Sequence, residues 1–70
     1  MTDHVYKLIE IVGSSNDGHD AAIKVALNRA RESIRHIRWF EVIAQRGYVD
    51  SEGGITHQVT LKLGFTMEDE

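Results

Sequence analysis

The one helical pattern in this 70-residue chain limits the folds that it can adopt. Apolar residues recur at steps of three and four over residues 22–37, as one face of an α-helix requires. The members of this stripe are Ala22, Ile23, Ala26, Leu27, Ala30, Ile34 and Ile37. Segments rich in β-branched and aromatic residues flank it and are typical of strands. A single helix can cover only one face of a sheet, so the pattern predicts a second, uncovered face.

Three strands are predicted around this helix. The first covers residues 5–12 (VYKLIEIV) and ends at Gly13, the second covers residues 39–49, and the third covers residues 55–65. Residues 50–54 (DSEGG) predict a hairpin loop, because glycine readily adopts positive φ. In the second strand, simple alternation places one group of side chains on one face: Phe40, Val42, Ala44 and Tyr48. Phe40 and Val42 are expected to pack beneath the helix, with Phe40 filling the core. The other face takes Trp39, Glu41, Ile43 and Gln45.

The helix start is predicted within GSSNDGHD, residues 13–20. Ser14, with Asp17 three residues later, can cap the free amide groups, and Ser15 is an alternative cap. Asp17 and Asp20 are acidic and suit the positive end of the helix dipole.

The order β-α-β-β predicts an α+β protomer in which a three-stranded antiparallel sheet packs on one helix. A right-handed crossover makes the first two strands parallel, and the third lies between them, antiparallel to both, as in a split βαβ unit. We expect one domain over residues 1–70, with flexible ends at residues 1–4 and 67–70. The chain has no cysteine, so disulfides are excluded, and its small size and uncovered sheet face predict self-association.

Composition excludes some classes of function. The formal net charge is −3 with neutral histidines, which argues against a general nucleic-acid binder. No apolar signal segment begins the sequence, and no apolar run approaches the roughly 20 residues that span a bilayer. The sequence therefore predicts a cytoplasmic protein that binds neither nucleic acid nor membrane.

No arrangement of residues predicts catalysis or a metal site. The histidines at positions 4, 19, 36 and 57 lack the spacing of a metal motif, and no serine or threonine has an evident base and orienting acid. A polar stripe on the helix is interpreted as a solvated face, with a surface for phosphorylated ligands as the alternative. This stripe comprises Lys24, Asn28, Arg31, Arg35 and Arg38.

Trp39, the only tryptophan, admits two interpretations. In the first, it packs in the core or at an interface, which is the more common role of an aromatic residue. In the second, it offers its ring as a stacking surface for a planar ligand. Gln58 can supply polar contacts to such a ligand, because its amide both donates and accepts hydrogen bonds. The residues alone leave both interpretations open.

Four segments resemble the dodecin family of small flavin-binding proteins over residues 5–65. They are VYKLIEIVGSS, AAIKVALNRARESIRHIRWFEV, QRG and HQVTLKLGF. The resemblance implies β-α-β-β protomers assembled into a hollow homododecamer. It also implies that pairs of flavins stack at two-fold axes between tryptophans of symmetry-related subunits.

The resemblance also implies roles for individual residues. Trp39 matches the stacking tryptophan, Gln58 the glutamine that hydrogen-bonds the flavin ring, and Arg46 an arginine that approaches the phosphate of FMN. Arg38 and Gln45 are expected at the edge of the pocket. The implied ligand is FMN or riboflavin, with FAD, lumichrome and, in some members, coenzyme A as further ligands. The implied function is flavin storage, buffering and photoprotection without turnover; a self-assembling structural module without a flavin role is the alternative.

Overall fold

A computed structural model describes residues 3–67 of the chain. Strand β1 spans Tyr6–Ser15, helix α1 spans His19–Arg31, strand β2 spans Ile37–Val49 and strand β3 spans Ile55–Thr66. The predicted β-α-β-β order is confirmed. The expectation of flexible ends falls mostly on residues 1–2 and 68–70, which lie outside the described residues.

The three strands form one sheet in the order β1-β3-β2, and β3 is antiparallel to both of its neighbours. This is the predicted split arrangement, with β1 and β2 parallel to each other. The hairpin between β2 and β3 is also as predicted: Gly53 has a φ of 86°, and Asp50 Oδ1 accepts hydrogen bonds from the amides of Glu52 and Gly54.

The core lies between α1 and the middle of the sheet. Three small residues of the helix pack against three branched residues of β3, and all six are buried: Ala22, Ala26, Ala30, Val59, Leu61 and Leu63. The helix approaches β1 closely at Gly13, where an added Cβ would overlap the Ala22 carbonyl oxygen and Ala26 Cβ. The helix covers β1 and β3 and leaves β2 largely uncovered.

The predicted boundary between β1 and α1 is wrong. The strand continues through Gly13 to Ser15, because Gly13 faces the helix and lets it approach, rather than ending the strand. Neither Ser14 nor Ser15 caps the helix. The N-cap is Gly18 and makes no side-chain cap bond, while Ser15 Oγ accepts a hydrogen bond from the Asp17 amide within the preceding turn.

The helix is also shorter than its apolar pattern predicts. It ends at Arg31, and the amides of Ser33 and Ile34 both bond the Ala30 carbonyl as the last turn tightens. Ile37 belongs to β2, where it lies opposite Phe65. The periodicity runs on because Ile34 and Ile37 still pack against the core after the chain has left the helix.

The predicted faces of β2 are correct only in its first half. Register shifts interrupt β2 between Ile37 and Trp39 and between Val42 and Ala44, and each bulge changes which side chains share a face. Beyond the second bulge, Ala44 lies opposite Thr60 and Gln45 opposite Val59. Directly opposed residues share a face, so Ala44 and Tyr48 face away from the helix, whereas Gln45 lies on the helix side.

Candidate functional site

Trp39 lies on the face of the sheet that turns away from α1, called here the open face. It is opposite Gly64, which alternates with the buried Leu63 of the helix side. The indole covers Gly64 so closely that a Cβ at that position would overlap its five- and six-membered rings. Trp39 is nevertheless 40% exposed. One side of the indole is therefore packed on the backbone of β3, and the ring remains accessible.

The neighbouring Phe40 does not fill the core, contrary to the prediction that it packs beneath the helix. It lies on the helix side, opposite Leu63, but it is 45% exposed because α1 does not extend over β2. Val42 is exposed on the same side for the same reason.

A row of hydrogen-bonded polar side chains crosses the open face at the other end of the sheet. Ser14, Gln58 and Arg46 occupy opposed positions on β1, β3 and β2. The Arg46 guanidinium donates to Gln58 Oε1 at 3.2 Å, and Gln58 Nε2 donates to Ser14 Oγ at 3.3 Å. These two bonds fix the orientation of the amide, with its oxygen toward Arg46 and its nitrogen toward Ser14.

Within one chain, Trp39 and Gln58 lie on the same face but far apart. Trp39 is opposite Gly64, six positions along β3 from Gln58, which corresponds to about 20 Å at the usual strand rise. The predicted site residues are thus brought together in part: Gln58 with Arg46, but neither with Trp39. A single site that uses all three must be built from more than one chain.

The two remaining predicted residues lie elsewhere. Gln45 is on the helix side, opposite Val59. Arg38 lies at the first bulge and lines a cavity beside the C-terminal half of α1. In a single chain, neither lies in the polar row.

Sequence reasoning missed Ser14 and Gly64 as site residues. Ser14 was interpreted as a helix cap, although it continues the alternation of Leu8, Glu10 and Val12 on the even positions of β1. Gly64 carried no local signal, because its role depends on the cross-strand register that places Trp39 above it.

Between these two ends the open face carries the opposed charged residues Glu10, Lys62 and Glu41, and its exposed apolar side chains lie mainly on β1. Tyr6, Leu8 and Val12 are each about half exposed there, and Leu8 shares the Gly64 position with Trp39. The predicted uncovered face is therefore present in the protomer with exposed apolar residues on it, and exposed apolar residues grouped in this way are typical of an interaction surface.

A cavity lies on the helix side of the sheet, between the end of α1 and the start of β2. Its volume is about 640 Å³. Four cationic side chains, together with His36, line it above apolar side chains such as Leu27 and Phe40, and no acidic residue contributes. The four are Lys24, Arg31, Arg35 and Arg38. All five residues of the polar stripe that was interpreted as a solvated helix face thus line this basic cavity, although Arg35 and Arg38 lie beyond the end of α1.

Among residues 3–67, no helix has the length and apolar character required to cross a membrane.

Comparison with known proteins agrees with this geometry. Residues 5–68 match the Dodecin family model. A dodecin from Thermus thermophilus is 48% identical over 65 residues, which is 93% of this chain and 94% of that protein. A calcium dodecin from Mycobacterium tuberculosis is 43% identical over 63 residues, which is 90% of this chain and 89% of that protein.

Solved structures give the same result. The dodecin of Streptomyces coelicolor superposes with a TM-score of 0.89 at 41% identity and covers 100% of both chains. An arginine-to-alanine variant of the T. thermophilus dodecin has a TM-score of 0.88 at 46% identity and covers 97% of this chain and 100% of that chain. With the match to the family model, these similarities show that the chain belongs to the dodecin family.

Proposed function

We propose that this protein binds flavins in pairs and stores, buffers and photoprotects them without turnover. The observation that carries the proposal is the indole of Trp39, which is packed on Gly64 yet 40% exposed on the open face. A rigid aromatic held in this way is a stacking surface for a planar ring.

The proposed ligand site requires several subunits. Structures of the family imply a multimeric assembly, and we propose a hollow homododecamer for this chain. At a two-fold axis, the Trp39 rings of two subunits would enclose two stacked isoalloxazine rings. An indole in contact with a flavin is a good electron donor, so the excited flavin is quenched before it reacts further. FMN and riboflavin are the proposed ligands, with FAD and lumichrome as further members of the same class.

The polar row has the chemistry to recognise the edge of a flavin. Each group of the Gln58 amide uses one hydrogen bond within the row, so the second N–H and the second oxygen lone pair remain for the ligand. Arg46 is held beside Gln58 and carries the charge that a flavin phosphate requires. Because Trp39 lies about 20 Å away in the same chain, Gln58 and Arg46 would serve a flavin stacked on the Trp39 of a neighbouring subunit. Contacts from Arg38 or Gln45 to the flavin stay predictions.

Substitution of Trp39 tests the stacking role, with Phe40 as a matched control. The two aromatics are adjacent and similarly exposed, but they lie on opposite faces of the sheet. Titration of FMN and riboflavin with fluorescence detection should show strong quenching by the parent protein and by Phe40→Ala. Trp39→Ala should bind at least about tenfold more weakly, because it loses both the buried area of the indole and the roughly 1 kcal/mol that an aromatic stack contributes beyond that area. Equal affinity and quenching in Trp39→Ala would remove the stacking role.

The alternative function is a self-assembling structural module with no flavin role. The absorbance spectrum of the purified protein and its mass by light scattering distinguish the two functions. A large colourless particle that leaves the fluorescence of added FMN and riboflavin unchanged would support the structural module. A flavin-loaded particle that steadily oxidised a reductant would instead contradict the proposal that the protein is not an enzyme.

The basic cavity favours a second ligand class. Its four cations and apolar floor suit a phosphorylated ligand with an apolar or aromatic part, such as coenzyme A. Calorimetric titration with coenzyme A should show binding that Arg35→Ala weakens. Arg29→Ala is the matched control, because Arg29 is on the same helix but pairs with Glu32 outside the cavity. Equal binding by both variants would argue against the cavity as the site.

A further inference from the structure

Two histidines that are far apart in sequence meet at one end of the helix side of the sheet. His19 is the first residue of α1, and His57 lies on β3 opposite Ser15 and Gly47. Their ring centroids are 4.9 Å apart with an interplanar angle of 76°, and both residues are half-buried. Neither histidine belongs to the proposed flavin site.

We propose that His19 and His57 form a binding site for a divalent transition-metal ion, and that Zn²⁺ and Cu²⁺ are the ions that bind there. Two imidazoles on one tetrahedral ion have ring centroids about 5 Å apart, since each metal–nitrogen bond is about 2.0 Å and each nitrogen lies about 1.2 Å from its centroid. The observed separation of 4.9 Å matches this spacing. Rotation about the Cβ–Cγ bonds, which is soft for histidine, then turns the nitrogens toward the ion without backbone movement.

The hydrogen bond of His19 leaves its Nδ1 free to bind a metal ion. Its Nε2 lies 3.4 Å from the carbonyl oxygen of Arg46, and a carbonyl can only accept, so Nε2 carries the proton. The lone pair of neutral His19 is then on Nδ1. Metal-binding histidines commonly donate their other ring N–H to a carbonyl in this way, which orients the ring and raises its basicity.

The charge of the neighbouring Arg46 is directed away from the histidine pair. Arg46 contributes its carbonyl to the pair, whereas its guanidinium bonds Gln58 on the opposite face of the sheet. No three histidine, cysteine, aspartate or glutamate side chains converge on a metal position within residues 3–67. The chain therefore supplies two ligands, and water completes the coordination. Imidazole ligands favour Cu²⁺ and Zn²⁺, whereas Ca²⁺ and Mg²⁺ require oxygen ligands.

Titration of the intact protein with ZnCl₂ and CuCl₂ tests this site. We expect one ion per chain, tighter binding of Cu²⁺ than of Zn²⁺, and a Cu²⁺ electron paramagnetic resonance spectrum with splitting from two nitrogens. Calcium chloride should give no heat attributable to the site. His19→Ala and His57→Ala should each lose the bound equivalent, whereas His4→Ala, which removes a histidine outside the pair, should keep it.

Two results would overturn the proposal: retention of Zn²⁺ binding in either His19→Ala or His57→Ala, or loss of that binding in His4→Ala. If one of the alanine variants does not fold, His19→Gln or His57→Gln keeps a polar side chain of similar length and must show the same loss.

Discussion

At the scale of single residues, the proposed flavin site depends on Gly64, which has no side chain, as much as on Trp39. Gly64 allows the indole to lie against the backbone of β3, which sets the height of the ring above the sheet. A Cβ at position 64 would overlap the Trp39 indole. The indole could avoid that overlap only by leaving its present rotamer. The position of Trp39 is therefore determined by the residue opposite it.

We expect Gly64→Ala to destabilise the protein by about 1–3 kcal/mol, as overpacking does, and to lower flavin affinity by displacing the indole. Gly47→Ala is the matched control. Its added Cβ would have ordinary contacts, with nearest atoms at 3.7 and 3.9 Å, and its φ is not positive. Denaturant unfolding and flavin titration measure the two effects. Equal behaviour of the two variants would contradict the role of Gly64.

At the scale of elements, the helix is held to the sheet by small residues. Ala22, Ala26 and Ala30 form its buried stripe. On β1, Gly13 has no side chain, so the helix can approach the strand closely at that position. This packing brings α1 close to β1 and β3. The same approach leaves β2 uncovered, so Phe40 and Val42 remain exposed and the basic cavity lies beside them.

A larger residue in this stripe should force the helix away from the sheet. We expect Ala26→Leu to lower the free energy of unfolding by about 1–3 kcal/mol. Val25→Leu, at the adjacent position that is half exposed, should change it by no more than about 0.5 kcal/mol. Thermal or denaturant unfolding compares the two variants. Close packing at Ala26 would be refuted by a stability equal to that of Val25→Leu.

At the scale of the whole molecule, the protomer leaves its open face unpartnered. Leu8, Val12 and Tyr6 are exposed there beside Trp39, and the family to which the chain belongs forms multimers. The two halves of the proposed flavin site are separated along this face by about 20 Å in each chain. We therefore propose that assembly has two effects: it would bury the exposed apolar residues of the open face, and it would bring Trp39 of one chain to the polar row of another.

A charge on the open face should prevent assembly. We expect Leu8→Glu to yield a smaller particle by light scattering, because burial of an unpaired carboxylate in an apolar interface is unfavourable. Val25→Glu places the same charge at an exposed apolar position on the helix and should leave the mass unchanged. An unaltered mass for Leu8→Glu would show that the open face is not the assembly surface.

Mixed assemblies test whether the flavin site is shared between chains. Trp39→Ala and Gln58→Ala subunits should each be defective alone. When they are unfolded and refolded together in equal amounts, about a quarter of the shared sites recover both intact residues, because each partner is drawn independently. Flavin quenching should then reappear in part. No recovery in an assembly of normal mass would indicate a site within one chain.

Much of the fold follows from the sequence. Periodicity identified one helix and three strands, turn residues located the hairpin at 50–54, and the connection rules placed β3 between β1 and β2. The excess of apolar positions over what one helix can cover predicted the open face. These features are determined locally or by simple connectivity, so one sequence is enough to infer them.

Tertiary structure decided the features that depend on contacts between distant residues. Periodicity does not register the end of α1 at Arg31, the extension of β1 past Gly13 where the helix approaches it, or the bulges of β2 in its pairing with β3. One bulge moves Gln45 to the helix side and places Arg46 beside Gln58. The exposure of Trp39 has the same origin: its residue type suggested a stacking ring, but only the cross-strand register places that ring on Gly64 and keeps it accessible.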